Sequence, residues 1–288
     1  MKNWNLKNIF FFYFFLGGLS ITLISFLGPK GTFTHEAASH VGDELIPYCT
    51  IPAVMESVSN GETGFGVIPI ENSIEGPVGI TLDSLAHKFD LKIYREIIIP
   101  INQNLMVNPG SGMDDIEDVY SHAQAIAQCQ EFIRKNMIQP HYAVSTARAA
   151  KDILGFKNKA AIGNRVAAEL YGLDILKANI QDTDNNETRF VVVSKDDHEP
   201  TGRDKTSIIF SIYEDRPGGL YHILGIFEKN NVNLTKIESR PSKKGLGKYL
   251  FFVDFEGHAA DEMVQDILAE IDENTYFLKV LGSYPHFR

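Results

Sequence analysis

A short polar run that ends at an apolar strand holds the residues in this chain best placed for chemistry. Residues 181–194 read QDTDNNETRFVVVS, so Thr188 and Arg189 stand directly before Phe-Val-Val-Val. A strand of valines needs neither a hydroxyl nor a cation at its entrance for stability. Strand ends are where α/β proteins hold their ligands. The sequence therefore predicts a functional role for the entrance of this strand.

A second candidate segment is GVIPIENSIEGPVGITLDSL, residues 66–85. An apolar strand runs into Glu71, Asn72 and Ser73, and a Gly-Pro turn and another helix start follow. Asparagine and serine donors at the carboxyl end of a strand can hold a carboxylate or a hydroxyl group. The alternative is an ordinary turn, because Asn, Ser, Gly and Pro are also the usual turn residues.

Several predicted helices begin at a small polar residue or a glycine. A helix N-terminus presents unpaired N–H groups and about half a positive charge, so several such ends meeting at a cleft would bind an anion. Taken singly, each position is a plain helix cap, and only convergence would make them a site. The positions are Gly31 and Thr32, Ser121, Ser145 and Thr146, and Asn164.

Several familiar catalytic motifs are absent from the sequence. There is no HExxH, GxSxG, GxxxxGK[ST] or strand-GxGxxG-helix pattern, which argues against zinc proteases, α/β-hydrolases, P-loop enzymes and dinucleotide-binding enzymes. Ser121 and His122 are adjacent, so on a helix their side chains would point in different directions and would not form a nucleophile and base. What remains is a cleft rich in hydroxyl, amide and backbone donors.

The composition is that of an ordinary globular protein. The 288 residues are 44% hydrophobic and 22% charged, which is enough for two domains with their own cores. A formal net charge of −10 argues against a general nucleic-acid binder, and any anion must be bound locally. Cys49 and Cys129 form no CxxC pair, so we expect reduced thiols and a cytoplasmic protein.

The N-terminus is unusual because residues 9–28, IFFFYFFLGGLSITLISFLG, carry no charge and are long enough to span a membrane. Residues 21–27 lead directly into GPKGTF, however, and read as the first buried strand. The remaining residues 9–20 have the length of a signal-peptide core but lack a small-x-small cleavage site before the strand. We interpret residues 1–22 as an extension from a start site assigned too early, with membrane association as the alternative.

Short apolar runs alternate with helical patterns through residues 23–195, which predicts a mostly parallel sheet built from βαβ units. One helix is predicted through QAIAQCQEFIRKN, where Ile126, Cys129 and Ile133 share a face. The chain is expected to leave one lobe near residue 100 and to return near residue 180, giving two lobes with a cleft. The predicted strands are LISFL, FGVIPI, KIYREIIIP, QNLMV, KAAIG and FVVVS.

A second unit follows a charged segment. Residues 196–204 contain Pro and Gly, carry no apolar periodicity and read as a linker. Residues 205–288 then give the order strand, helix, strand, strand, helix, strand. This βαββαβ order predicts a ferredoxin-like α+β domain.

Five motifs in order resemble those of the prephenate dehydratase family: FLGPKGTFTHEAA, GVIPIENSIEGPVGITLDSL, SHAQAIAQC, STARAA and NNETRF. The smaller unit, with GGLY and ESRP, resembles an ACT regulatory domain. The likeness covers residues 23–288. It implies a two-lobed α/β catalytic domain similar to type II periplasmic binding proteins, followed by the ACT domain.

The family converts prephenate into phenylpyruvate, water and carbon dioxide in L-phenylalanine biosynthesis. Since the product ring is aromatic, the enzyme must mainly position the substrate and assist the departing hydroxyl, and the resemblance implies no metal or cofactor. Two alternatives stay open. An arogenate dehydratase would use the same motifs, and a non-catalytic amino-acid sensor or membrane-tethered solute-binding protein would use the same fold.

The resemblance also assigns roles to residues. Thr188 would donate a hydrogen bond or proton to the leaving hydroxyl, as a positioned donor because threonine is too weak an acid to ionise at pH 7. Arg189 would pair with a substrate carboxylate or with a structural acid. The implied catalytic residues are Thr188, Asn72, Gln124 and Ser121, and the implied substrate-binding residues are Glu71, Ser73, Ser145, Thr146, Thr32 and Arg189.

The family binds L-phenylalanine between paired ACT domains as a feedback inhibitor. The resemblance therefore implies a homodimer or a homotetramer through the ACT domains. Tyr221 stands where the family has a small aliphatic residue, which bears on inhibitor affinity. The implied effector residues are Gly218, Gly219, Leu220, Tyr221, Glu238, Ser239, Arg240 and Pro241.

Overall fold

The computed structural model describes residues 22–213, 217–243 and 247–287. The predicted extension over residues 1–22 therefore lies outside the described residues except for Thr22. In the described ranges, no helix combines the length and the apolar character that crossing a bilayer requires.

The larger domain consists of two lobes, each built on one sheet. Its strands, in chain order, are β1 (Ile24–Leu27), β2 (Leu45–Tyr48), β3 (Phe65–Asn72), β4 (Gly76–Pro77), β5 (Lys92–Pro100), β6 (Asn104–Val107), β7 (Asp118–Ser121), β8 (Gln139–Tyr142), β9 (Lys159–Gly163), β10 (Asp174–Lys177) and β11 (Glu187–Ser194). Its helices are α1 (Phe33–Ser39), α2 (Ile51–Ser59), α3 (Gly79–His87), α4 (Ala123–Ala127), α5 (Gln130–Lys135), α6 (Thr146–Asp152) and α7 (Arg165–Tyr171).

Most strands of each lobe run in one direction. The first sheet has the order β2-β1-β3-β11-β5, and β11 is antiparallel to both of its neighbours. The second has the order β10-β6-β9-β7-β8, and β6 is the reversed strand. Strands β6 and β11 are the first strands after the chain crosses between lobes. The predicted parallel pattern thus holds except for β6, β11 and the short β4.

The chain crosses between the lobes twice. It leaves the first sheet at the end of β5, Pro100, and enters the second with β6 at Asn104. It returns between the end of β10, Lys177, and the start of β11, Glu187. The polar run that precedes Thr188 is therefore the second crossing between the lobes, and this explains why it has no apolar pattern.

The helix predicted through QAIAQCQEFIRKN is broken in two, so that prediction is wrong. Helix α4 ends at Ala127 and α5 begins at Gln130. Asp182, on the returning crossing, accepts a hydrogen bond from the Glu131 N–H at 3.1 Å and caps the second helix. The predicted apolar face is nevertheless buried, because Ile126, Cys129 and Ile133 all lie in the core of the second lobe.

The smaller domain has the predicted ferredoxin-like fold, and the fold class of both domains is confirmed. Its elements are β12 (Asp204–Ser211), α8 (Gly219–Lys229), β13 (Leu234–Pro241), β14 (Tyr249–Glu256), α9 (Glu262–Glu273) and β15 (Phe277–Pro285). The sheet order is β13-β14-β12-β15, with every neighbouring pair antiparallel. Both helices are amphipathic and pack on one face of this sheet.

The two domains are joined by a shared apolar core. Side chains of the small domain, including Leu281 and Tyr284 of β15, pack in one buried cluster with Leu85 and Ile93 of the large domain. The segment predicted as a linker also contacts the small domain, because the Asp197 carboxylate accepts a hydrogen bond from the Ser283 N–H at 2.8 Å. The small domain is thus packed against the large domain through apolar contacts and hydrogen bonds.

Gly282 lies where the backbones of β15 and β5 approach each other closely at this interface. Its φ of 142° disfavours an L side chain, and a Cβ there would lie 2.8 Å from the Ile93 backbone nitrogen. We expect Gly282→Ala to lower the free energy of unfolding by about 1–3 kcal/mol, because β15 and β5 must separate. The free energy of unfolding is measured by urea unfolding.

Gly225→Ala is the control, because Gly225 lies in helix α8 with open space around it. This substitution should raise the free energy of unfolding by about 0.5–1 kcal/mol.

Candidate active site

The pairing of β3 with β11 sets the geometry of the candidate site. Thr188 lies opposite Asn72, and Arg189 lies opposite Glu71. Because successive residues of a strand point to opposite faces, these two neighbouring pairs face opposite sides of the sheet. The register shifts directly after Arg189, so that Ile70 is an extra residue on β3. Such bulges redirect side chains next to active sites.

Asn72 is the centre of the first pair. Its Nδ2 group donates to Thr188 Oγ1 at 2.9 Å, to Asn186 Oδ1 at 2.7 Å and to the Glu187 carbonyl at 3.1 Å. Its Oδ1 atom accepts from two backbone N–H groups of the turn that follows. The amide is therefore fixed on both sides. Since Thr188 Oγ1 accepts a hydrogen bond from Asn72, its own proton is left for another partner.

Asn186 is a residue that the sequence analysis missed. It is buried, its side chain holds Asn72, and its backbone carbonyl accepts from the Ile101 N–H at 2.7 Å. It therefore connects both crossings between the lobes to the Thr188 pair. The available signal was its place in the run NNETRF.

Ser73 secures the same region. Its hydroxyl donates to the Asn185 carbonyl at 3.2 Å and accepts from the Glu187 N–H at 2.9 Å. Its own N–H donates to the Glu187 carbonyl at 2.9 Å. Ser73 therefore connects the second crossing to the end of β3 by three hydrogen bonds. Substrate binding by Ser73 stays a prediction.

Three of the predicted helix starts cap their own helices. Thr32 accepts from His35 N–H at 3.3 Å, Ser145 accepts from Arg148 N–H at 3.0 Å, and Asn164 does the same for α7. Thr146 is the first residue of α6. These side chains stabilise the helices α1, α6 and α7.

The same three helix starts meet across the two lobes. A Cβ at Gly31 would lie 3.3 Å from the Ala147 Cβ and 3.5 Å from the Ala167 Cα, so the loop before α1 touches α6 and α7. Asn164 donates to the Glu36 carboxylate at 3.0 Å. Burial raises the pKa of Glu36, although this hydrogen bond opposes the shift. The two lobes thus meet at their polar edges, where β1, β8 and β9 end.

The structure corrects the role predicted for Ser121. This residue is the last one of β7 and not a helix start, its exposed fraction is 0%, and its hydroxyl donates to the Ile162 carbonyl at 2.7 Å. It therefore holds β7 to β9 and cannot contact a substrate in this arrangement. His122 caps α4 instead, and Gln124 lies exposed in the first turn of that helix.

Glu71 and Arg189 are also corrected, because both face the small domain. The Arg189 guanidinium donates to Glu96 at 2.8 Å and to Asp254 at 2.7 Å, and its third contact is the Tyr284 hydroxyl at 2.7 Å. Glu71 accepts from the Lys236 ammonium group at 2.6 Å. The alternative of a structural acid for Arg189 is therefore the one observed.

These contacts govern the ionisation of the buried groups. Burial alone would lower the pKa of Arg189, but Asp254, Tyr284 and Glu96 raise it well above its ordinary value. Burial likewise opposes ionisation of Asp254, yet Arg189 and Lys205 hold the pKa of Asp254 below its ordinary value. Both groups are therefore charged at neutral pH.

The predicted effector residues lie on two elements of the small domain. Gly218, with a left-handed φ of 84°, precedes α8, and Tyr221 in its first turn is 81% exposed. In the ESRP segment, Arg240 reaches Asp83 of the large domain with two contacts of 3.3 Å. Burial opposes ionisation of Asp83, but Lys243 and Arg240 outweigh it and lower the pKa of that carboxyl group.

The chain matches two family models and several known proteins over most of its length. A family model described as prephenate dehydratase matches residues 24–198, and an ACT domain model matches residues 206–273. The chain is 46% identical to a bifunctional chorismate mutase/prephenate dehydratase of Aquifex aeolicus, over 91% of this chain and 73% of that protein. It is 43% identical to the prephenate dehydratase of Methanocaldococcus jannaschii, over 90% of this chain and 96% of that protein.

A solved structure extends the comparison to the whole fold. The prephenate dehydratase of Arthrobacter aurescens, in complex with L-Phe, superimposes with a TM-score of 0.83 at 37% identity. The match covers 92% of this chain and 90% of that one, so both domains are included. The chain therefore belongs to the prephenate dehydratase family.

Proposed function

We propose that this protein converts prephenate into phenylpyruvate, with loss of carbon dioxide and water. The observation that carries the proposal is the Asn72–Thr188 pair at the carboxyl end of β3, within a chain of the prephenate dehydratase family. The pair offers a fixed hydroxyl donor and no ionised nucleophile. That is what a reaction driven by aromatisation of the substrate requires.

The conversion of prephenate into phenylpyruvate, carbon dioxide and water consumes one proton. The bond between the ring and its carboxylate breaks, and its electron pair enters the ring as carbon dioxide leaves. The hydroxyl on the opposite ring carbon departs with its bonding pair and takes up a proton to become water. We assign Thr188 as the donor to this hydroxyl, and the proton is replaced from solvent. Asn72 and, behind it, Asn186 hold the threonine in place.

The remaining polar groups at the meeting lobe edges are proposed to bind the two substrate carboxylates. Gln124 is exposed at the start of α4, and Thr32, Ser145 and Thr146 lie at the starts of α1 and α6. These positions supply neutral donors, which suits a protein with a net charge of −10. Ser73, next to Asn72, completes the proposed set.

Turnover assays with two substrates test the proposal. We expect rapid phenylpyruvate formation from prephenate at neutral pH and a much lower kcat/KM for arogenate. A preference for arogenate would replace the substrate but keep the reaction. Absence of product from either substrate would contradict the proposal and favour the non-catalytic amino-acid sensor.

We also infer that L-phenylalanine binds the small domain and inhibits the enzyme. Support comes from the ACT domain match, the GGLY and ESRP segments, and the relative from Arthrobacter aurescens whose structure contains L-Phe. Pairing of small domains into a homodimer or homotetramer, and a cytoplasmic location, stay predictions. Light scattering on the purified protein would measure the oligomeric state.

Effector binding has a measurable thermal consequence. A ligand at about 100 times its Kd stabilises the folded state by about 2.7 kcal/mol, so L-phenylalanine should raise the Tm by several degrees. D-phenylalanine serves as the control and should leave the Tm unchanged. If L-phenylalanine neither shifts the Tm nor lowers the turnover rate, the regulatory assignment is wrong and the exposed Tyr221 is the first residue to examine.

A further inference from the structure

A cluster of buried and partly buried charges joins the two domains on the side of the sheet opposite to the Asn72–Thr188 pair. In the described part of the chain it consists of three cations and three carboxylates, and each domain supplies three of the six. Ion pairs of 2.6–2.8 Å join four of them in one group and the other two in a second. A contact of 3.6 Å between Arg189 and Glu71 links the two groups. The members are Glu71, Glu96 and Arg189 of the large domain and Lys205, Lys236 and Asp254 of the small domain.

Glu71, like Arg189, is a member of this cluster that lies next to the candidate site. It is directly followed by Asn72, and its cross-strand partner Arg189 directly follows Thr188. The two pairs face opposite sides of one sheet, so a shift or twist of the strand ends that moves one pair also moves the other. The position of Glu71 therefore bears on the Asn72–Thr188 hydrogen bond.

Lys236 is the main partner of Glu71. Its ammonium group lies 2.6 Å from Glu71 Oε2, whereas Arg189 is at 3.6 Å from the same atom. The Glu71 side chain is 36% exposed, while that of Lys236 is 10% exposed. A cavity of about 450 Å³ borders both side chains and extends to Ser73 and Glu187, which lie beside the catalytic pair. Loss of Lys236 would therefore remove the shorter of these two ion pairs of the Glu71 carboxylate and leave the 3.6 Å contact with Arg189.

The strand that carries Lys236 touches the large domain twice. Lys236 contacts Glu71 at the end of β3, and Arg240, on the same face of β13, contacts Asp83 in α3. The turn between β3 and α3 contains Ser73 and follows Asn72 directly. Strand β13 of the small domain thus contacts the segments on both sides of that turn.

We propose that Lys236 is a positioning residue for catalysis: through Glu71 it sets the orientation of Asn72 and Thr188. The small domain is then part of the catalytic arrangement, in addition to any regulatory role. This inference rests on the proposed function for its kinetic consequence. Its structural consequence is that Lys236 stabilises the ends of β3 and β11. This consequence does not depend on the substrate.

The first test is the turnover rate of Lys236→Met. We expect kcat for prephenate to fall about tenfold with KM changed less than about twofold, since the proposed effect is on the reacting geometry and not on binding. Lys236→Arg should recover most of the rate, because it restores a cation to Glu71. Lys229→Met removes an exposed lysine that pairs with Glu270 at 3.4 Å in the same domain, and it should behave as wild type.

A second variant removes the other partner. Glu71→Gln should lower kcat to a similar extent, and the double variant should be little worse than either single one, as expected for residues that act together. Hydrogen exchange gives a readout independent of the substrate. Amides of residues 66–75 and 185–190 should exchange faster in Lys236→Met than in wild type at an unchanged Tm.

These outcomes separate the two proposals. Wild-type kcat and wild-type exchange in Lys236→Met would overturn the inference. Equal losses of activity and Tm in Lys236→Met and Lys236→Arg would also overturn it, because they indicate a merely structural role. If the wild type does not turn over prephenate, the proposed function fails, and the exchange comparison still decides whether Lys236 orders the two strand ends.

Discussion

Replacement of Thr188 by alanine is expected to lower kcat for phenylpyruvate formation by about 10²- to 10⁴-fold, the range that a positioned proton donor contributes. KM should change little, because the hydroxyl acts on the departing group as the bond breaks. The measurement is steady-state turnover of prephenate by wild type and variant. The comparison is informative only if the Tm values agree, since Asn72 loses one of its acceptors in the variant.

Thr188→Ser is the matched control. It keeps a hydroxyl that can accept from Asn72 and donate to the leaving group, so we expect activity within about tenfold of wild type. Thr188→Val keeps the shape without the hydroxyl and should resemble alanine. If alanine or valine retained activity within a few fold of wild type, Thr188 would not be the donor, and Gln124 at the start of α4 would be the next candidate.

The position of Thr188 shows what could be read from the sequence. A polar run before an apolar strand marks a strand entrance, and this was sufficient to select Thr188. Its location at the carboxyl edge of β3 arises because β11 is antiparallel to its neighbours. That direction follows from the return of the chain from the second lobe, which local pattern does not encode.

Local chemistry was predictable where it depends on neighbours in the chain. Thr32, Ser145 and Asn164 cap helices as expected, because the capped N–H group lies three residues away. The break between α4 and α5 was missed because the capping residue, Asp182, is distant in sequence.

Motif membership was a poor guide to the direction in which a side chain points. Glu71 and Asn72 are neighbours in one motif, yet one contacts the small domain and the other contacts Thr188. The alternation of a strand makes this split unavoidable, but the sequence does not say which face is covered by the second domain. Ser121 was misplaced for a related reason, since the short, half-buried β7 gives no apolar run.

The other large effect is expected at Arg189. Arg189→Met should lower the free energy of unfolding at pH 7 by about 3–5 kcal/mol, because it leaves Asp254 and Glu96 buried beside fewer cations. This is a large share of the about 5–15 kcal/mol that stabilises a typical domain. The measurement is the midpoint of urea unfolding. Arg148→Met is the control, since its pair with Asp152 has side chains 58% and 41% exposed and should contribute only about 0.3–0.5 kcal/mol.

The effect of Arg189→Met should also depend on pH. In the wild type the pKa of Asp254 is held below its ordinary value, so its stabilising contribution is present above pH of about 4 and is lost as the pH falls through that lowered pKa. Without Arg189, burial is expected to raise the pKa of Asp254, and protonation would then relieve the uncompensated charge. The stability difference between wild type and variant should therefore shrink as the pH is lowered from 7 towards about 4. A difference that stays constant over this range would mean that the lost packing of the arginine side chain, and not its charge, destabilises the variant.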